Sequence, residues 1–236
     1  RLLEAYPDCA VIGVTGQQHG IVYLDAAGRC VSPLYTWQDG RAGLPEPDGQ
    51  TRAQQLSACS GYAVPVGYGM ATHAYNCAHG LVPADAAVFC TIQDYVAMHL
   101  SGRTAPLLDA SDAASFGAFD TEAAVRAGLD PALFPAVSHP AVLGRGPLGI
   151  PVCTAIGDNQ ASFIGATGGK AAGSMLLNVG TGSQISIHTS TLAGGAGLEP
   201  RPFPLGGYLL VGASICGGRA YAILERFFSR CVEMVT

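Results

Sequence analysis

Charge is scarce in this 236-residue chain: Lys and Arg together number 12, Asp and Glu 17, and all four make up 12% of the residues, about half the usual share. Only one lysine, Lys170, is present. The net charge of −5 argues against nucleic acid or an anionic membrane surface as partner. No apolar run approaches the roughly 18 residues that would span a bilayer. The longest candidate, Tyr208 to Cys216, is strand-sized and contains Gly212 and Ser214. The eight cysteines form no CxxC pair and share no ligand spacing with the six histidines, which disfavours zinc. Several lie in apolar stretches such as AVFCTI and ASICGG, so they read as small buried hydrophobes in a reducing compartment, the cytoplasm, and not as a disulfide framework. Neither a GxSxG elbow nor an HExxH helix occurs, against a serine hydrolase or a zinc protease.

What is present is enough to bury a core, since 49% of residues are hydrophobic. The length suits one large or two smaller domains. The opening RLLEAYPDCAVIGVTG reads as a helix tail entering a buried strand, and the chain closes inside an amphipathic helical pattern. Both ends are therefore read as the interior of a longer sequence. IVYLDAAGRCVSPLYTW predicts a hairpin about the turn Asp25–Gly28. GYGMATHAYNCAHGL predicts a helix stopped by Gly80, and AAVFCTIQDYVAMHLSGR a strand followed by a helix ending at Gly102. The Pro/Gly-rich stretch Ser138–Pro151 is the expected boundary, dividing residues 1–148 from 149–236. Beyond it, strand (PVCTAIG), helix (DNQASFIGAT), hairpin (MLLNVGTGSQISIHT), strand (YLLVGAS) and a helix from about Gly218 predict an α/β architecture with mixed sheets.

Two motifs are decoys. GRGPLG, Gly144 to Gly149, has dinucleotide-loop spacing but precedes a strand where it should follow one. GATGGKAA around Lys170 lacks the first Gly and the final Ser or Thr of a Walker A loop. Four other segments concentrate polar residues in unusual places. GQQHG follows a strand, so Gln18 and His19 emerge at a strand end, where α/β folds carry ligand contacts; an ordinary turn is the alternative. TWQDGRA holds the single tryptophan, Trp37, whose ring suits the C–H face of a sugar while Gln38, Asp39 and Arg41 suit hydroxyls; a core Trp beside a surface turn is the alternative. AIGDNQA sets Asp158 at a strand-to-helix junction, either as a plain helix cap or as a carboxylate able to take a proton from a substrate hydroxyl. NVGTGSQ forms a hairpin tip in which Gly180 and Gly182 free the backbone to approach an anion, with the Thr181 and Ser183 hydroxyls beside them; Gly-rich hairpin turns are common in themselves.

In this order, GQQHG, WQDGRA, GDNQA and GTGSQ resemble the FGGY carbohydrate kinases, a family with a two-domain, ribonuclease H-like fold of the actin-like ATPases. GYGMATHAYN, CTIQDYVAMHLSGRTAPLLDASDAASFGAF and ASICGGRAYA are most similar to the members that phosphorylate sedoheptulose. The resemblance implies transfer of the ATP γ-phosphate to a primary hydroxyl of a ketose, with magnesium. It makes Asp158 the catalytic base and a shared metal ligand. It sets Gln18, His19, Trp37, Tyr68 and Asn159 around the sugar, and Gly180, Thr181, Gly182 and Ser183 at the ATP phosphates. Residues 1–148 would belong to the sugar-binding domain and 149–236 to the second, with a homodimer compatible with it. The family's N-terminal DxGTTS-type hairpin, whose Asp helps hold the metal, and its later adenosine-binding segment have no counterpart here. These residues alone are therefore expected to be a poor or inactive kinase. The GTG turn matches the family at large, which keeps a xylulose or ribulose kinase open beside one for sedoheptulose, and a non-catalytic sugar-binding relative beside both.

Overall fold

A computed structural model describes residues 2–116, 121–180, 182–192, 197–214 and 217–235. They form two compact units, residues 1–161 and 162–236. In the first unit the helix Leu2–Ala5 (α1) leads to a short strand, Thr15–Gly16 (β1), followed by Val22–Leu24 (β2). Then come helices Arg52–Ser60 (α2) and Gly69–Ala78 (α3), strand Val88–Cys90 (β3), helix Ile92–Leu100 (α4), strand Leu107–Asp109 (β4) and helices Ala110–Phe116 (α5) and Thr121–Arg126 (α6). Strands Ala136–Ser138 (β5), Val142–Arg145 (β6), Pro151–Cys153 (β7) and Ile156–Gly157 (β8) follow, and the helix Asp158–Thr167 (α7) starts directly after β8.

Local chemistry accounts for these boundaries. The Thr51 hydroxyl accepts the Gln54 N–H while the Gln54 side chain accepts the Thr51 N–H, a reciprocal cap on α2. Thr91 caps α4 by accepting the Asp94 N–H. The core gathers Ile21, Tyr23, Leu56, Met70 and Phe89 between β2, β3, α2 and α3. His73 is fully buried there, its ring 4.4 Å from that of Phe89 and its Nδ1 2.9 Å from the Tyr23 hydroxyl. Burial pushes this imidazole down to about 4, so it is neutral near pH 7.

Several expectations need correction. The opening segment is not a buried strand: Ile12 and Val14 pack inward while Val11 is exposed, because the segment runs along one side of residues 152–157, with Ile12 beside Val152 and Thr15 beside Ile156. The hairpin about Asp25–Gly28 forms as expected, its arms bridged antiparallel at Ile21–Tyr35 and Leu24–Cys30, and β2 pairs in addition with β3. The stretch 138–151 is no bare linker, since β6 within it pairs with β7. The units accordingly meet at 161/162, later than the expected 148/149, because β7 and β8 are tied to the segment around β1. Seven cysteines are free thiols as expected, yet only Cys90 is buried; Cys216 lies outside the described residues.

The second unit is an antiparallel sheet of Met175–Val179 (β9), Ser183–Thr189 (β10), Glu199–Pro202 (β11) and Tyr208–Ser214 (β12), in the order β11-β12-β10-β9, followed by helix Gly218–Val235 (α8). Its core is Phe163, Phe203, Leu209 and Val211. Along β10 the polar Ser186 is buried, across from Leu176 and Val211, while Ile187 is exposed. The apolar stripe of α8, including Ile223, Leu224, Phe227, Phe228 and Val232, is present and exposed.

Candidate functional site

The candidate site is built on two adjacent parallel strand ends. Gly16 of β1 stands in register with Gly157 of β8, so Gln17 and Asp158 leave the sheet side by side at its carboxyl edge. Open α/β sheets bind ligands at such edges. Neither glycine is replaceable by a larger residue without movement. A Cβ at Gly16 would come within 3.1 Å of Gln93 Oε1, and a Cβ at Gly157 would collide with the Gln18 amide.

Gln17, Gln18, His19, Trp37 and Asp158 line a cavity of about 220 Å³. The Asp158 side chain is exposed, and its Oδ1 accepts the Asn159 backbone N–H at 2.9 Å. The Trp37 ring is 47% exposed, and its Nε1 donates to Gln17 Oε1 at 3.0 Å. His19 adopts φ +80°, one of two non-glycine residues with positive φ among those described. Such a backbone costs on the order of 1 kcal/mol or more and persists only where its surroundings enforce it. Here the imidazole lies flat on the Tyr68 ring, centroids 4.3 Å apart and planes 6° apart. The strained residue thus presents its ring at the cavity wall.

The WQDGR turn is anchored from behind. Arg41 pairs with Asp39 at 2.8 Å, donates to Asn76 Oδ1 at 2.7 Å and stacks 4.3 Å from the Tyr35 ring centroid. It therefore holds the loop carrying Trp37 against α3 and does not line the cavity. The close approach of Gly67, φ +92°, to the Trp37 carbonyl fixes the same loop.

Of the residues expected around the sugar, Gln18, His19 and Trp37 meet in one cavity, together with Asp158, the expected catalytic base. Tyr68 stands behind His19 as its stacking partner, and Asn159 is buried. Gln17 was missed; its place beside Gln18 after a strand is the signal that points to it. A buried polar layer was also missed. The Gln18 side-chain amide donates to Asp112 Oδ1 at 3.2 Å and to Gln160 Oε1 at 3.0 Å, and Gln93 donates to Asp112 Oδ2 at 3.2 Å. Burial pushes the Asp112 carboxyl up to about 7; the hydrogen bonds from Gln18 and Gln93 oppose this, and the Asp109 and Asp158 charges add to it. Asp94, whose carboxylate accepts the Thr91 hydroxyl, is raised well above the carboxylate range, first by burial and then by the charge of Asp112.

Gly180, Gly182 and Ser183 lie in the second unit, at the β9–β10 turn, and Thr181 lies outside the described residues. The Gly180 N–H is engaged by the Gly182 carbonyl at 2.8 Å, and the Gly180 carbonyl accepts the Gly218 N–H at 2.6 Å at the start of α8. A Cβ at Gly217 or Gly218 would strike this turn, so the two backbones meet directly. Among the described residues, no group of three or more His, Cys, Asp or Glu side chains could by itself hold a metal ion, and no helix is long and apolar enough to cross a membrane.

No family model matches the chain. It is 34% identical to the sedoheptulokinase of Mus musculus over 214 residues, 74% of this chain and 42% of that protein. It is 29% identical to a xylulose kinase of Streptomyces rubiginosus over 209 residues, 77% of this chain and 41% of that one. The crystal structure of xylulose kinase from Rhodospirillum rubrum superposes with a TM-score of 0.77 at 24% identity, covering 94% of this chain and 49% of that one. The chain spans about half the length of the curated relatives it matches. The order of its motifs, its similarity to sedoheptulokinases and xylulose kinases and its actin-like ATPase fold agree: the chain belongs to the FGGY carbohydrate kinase family.

Proposed function

We propose that the whole protein is an ATP-dependent ketose kinase that phosphorylates a primary hydroxyl of sedoheptulose, with xylulose as the second candidate because xylulose kinases stand among both its sequence relatives and its structural neighbours. The observation that carries this reading is the exposed Asp158 carboxylate on a cavity shared with Gln17, Gln18, His19 and Trp37. An aromatic ring and an imidazole suit a sugar's C–H faces, and planar amides suit its hydroxyls. Asp158 orients the attacking hydroxyl and accepts its proton as the oxygen bonds to phosphorus. Phosphoryl transfer asks little more of the acceptor side than this positioning.

A lone exposed carboxylate fits magnesium, which prefers few protein ligands and keeps waters and phosphate oxygens around it. Asp158 would hold the ion, and when bound it neutralises charge on the transferring phosphate. The phosphates are assigned to the turn of Gly180, Thr181, Gly182 and Ser183, and the place of action to the cytoplasm. The test is ADP release by the whole protein with sedoheptulose, xylulose, ribulose and glycerol in parallel. One ketose is expected to be turned over preferentially. Asp158→Ala should lower turnover by several orders of magnitude with sugar affinity within a few-fold, and His19→Ala should weaken sugar binding. Equal turnover in the Asp158 variant would remove it from catalysis; turnover of none of the four, with sugar still bound, would leave a non-catalytic relative.

A further inference from the structure

The cavity wall carries two adjacent glutamines with different fates. Gln18 is only 3% exposed, its amide nitrogen donates to Asp112 and Gln160, and its oxygen is buried as well. This side chain belongs to the interior and leaves no amide atom for a ligand. Gln17 is exposed and lines the same cavity. Its Oε1 accepts the Trp37 indole N–H at 3.0 Å. An indole nitrogen can only donate, so it is the oxygen of the Gln17 amide, and not its nitrogen, that faces Trp37. The NH₂ therefore points away from the indole and has no partner among the described residues. The N–H of Trp37 is engaged in turn, which leaves the tryptophan only its ring to offer. Gln17 and Asp158 follow the paired residues Gly16 and Gly157, so the amide supplies donor hydrogens beside a carboxylate that, when ionised, can only accept.

We propose that Gln17 is the amide of this site that binds the ligand: Trp37 fixes its orientation, and its outward NH₂ donates to an oxygen of the bound sugar while the Trp37 ring covers a C–H face. Naming the ligand a sugar rests on the kinase reading; the orientation of the amide does not. The attacking oxygen needs its lone pair for phosphorus, so the oxygen that Gln17 holds is a different one, and a ligand lacking an oxygen there is bound less well. That hydrogen bond is made alike before and during phosphoryl transfer, so its loss raises KM more than it lowers kcat.

Two variants at this exposed position separate the two jobs of Gln17. Gln17→Glu keeps an oxygen for the indole but has no hydrogens to donate, and Gln17→Met, of similar length, has neither. In the whole protein, KM for sedoheptulose or xylulose should rise about two- to tenfold in each, the worth of one neutral hydrogen bond. In ¹⁵N spectra, the single indole N–H signal should move upfield in Gln17→Met and keep its hydrogen-bonded position in Gln17→Glu. The wild-type Gln17 NH₂ signals, identified by their absence from both variants, should move as ketose is titrated in. An unaltered indole signal in Gln17→Met, an unchanged KM in Gln17→Glu, or NH₂ signals unmoved by a ketose that binds would each overturn the proposal. A protein whose indole signal responds as expected but which binds neither ketose by calorimetry would overturn the kinase reading, and with it the ligand named here, while leaving the amide orientation in place.

Discussion

Gly157→Ala isolates the contact on which the site geometry turns. The added methyl would overlap the Gln18 amide and come within 2.6 Å of its Cγ, so the buried side chain must leave its place. Its departure leaves Asp112 Oδ1 and Gln160 Oε1 without the hydrogens they now accept. A buried acceptor deprived of its partner costs about 1–3 kcal/mol, and two of them about 2–5 kcal/mol with partial relaxation. Against a domain stability of roughly 5–15 kcal/mol, that is a large fraction. Gly165→Ala, in the helix α7 that follows β8, is the control, because a Cβ there meets nothing within 4 Å. It should gain about 0.5–1 kcal/mol from the lower entropy of alanine in the unfolded chain. Urea unfolding followed by circular dichroism should move in opposite directions for the two variants, and Gly157→Ala should also lose sugar affinity. A Gly157→Ala midpoint at or above wild type would refute the packing of Gln18 against β8.

Trp37 is the sole tryptophan and its half-exposed ring lines the cavity, so saturating sugar should shift intrinsic fluorescence to the blue; unchanged emission would take Trp37 out of the site. Stability should also fall as pH rises from about 4 through 7. The folded-state pKa of Asp112 is raised from 3.8 to about 7, so its contribution is fully present below the unfolded value and is lost as pH climbs through the folded one. A fully buried carboxyl moved that far is worth on the order of 4 kcal/mol, and Asp94, raised for the same reason, acts in the same sense. Unfolding free energies measured from pH 4.5 to 7.5 should show this decline and a shallower slope in Asp112→Asn; equal slopes would refute the assignment.

Much of the site is legible in the sequence. GQQHG and GDNQA each follow an apolar run that ends in glycine, and a strand end is where side chains escape the sheet. That is why His19 and Asp158 stood out. The roles of their neighbours were harder to read. Gln18 looks like His19 in sequence, yet one faces inward to Asp112 and the other lies on Tyr68. Asp112 itself sits in a run of Ala and Ser whose weak periodicity hid a helix, and nothing local marks its carboxyl as buried. The alternation along β10 was visible, but which face is covered depends on Phe163 and Phe203, both distant in sequence.

Composition, the order of the four polar segments and the glycines at strand ends by themselves determined the α/β class, the family and the cavity residues His19, Trp37 and Asp158. These are local properties: apolar runs, turn chemistry and residue types that keep their meaning wherever the chain goes. The parallel pairing of β1 with β8, the division at 161/162 and the buried layer of Gln18, Gln93, Asp112 and Gln160 were decided only in three dimensions. Burial and hydrogen-bond partnership are relations between segments as many as 142 residues apart, and only the folded chain brings those segments together.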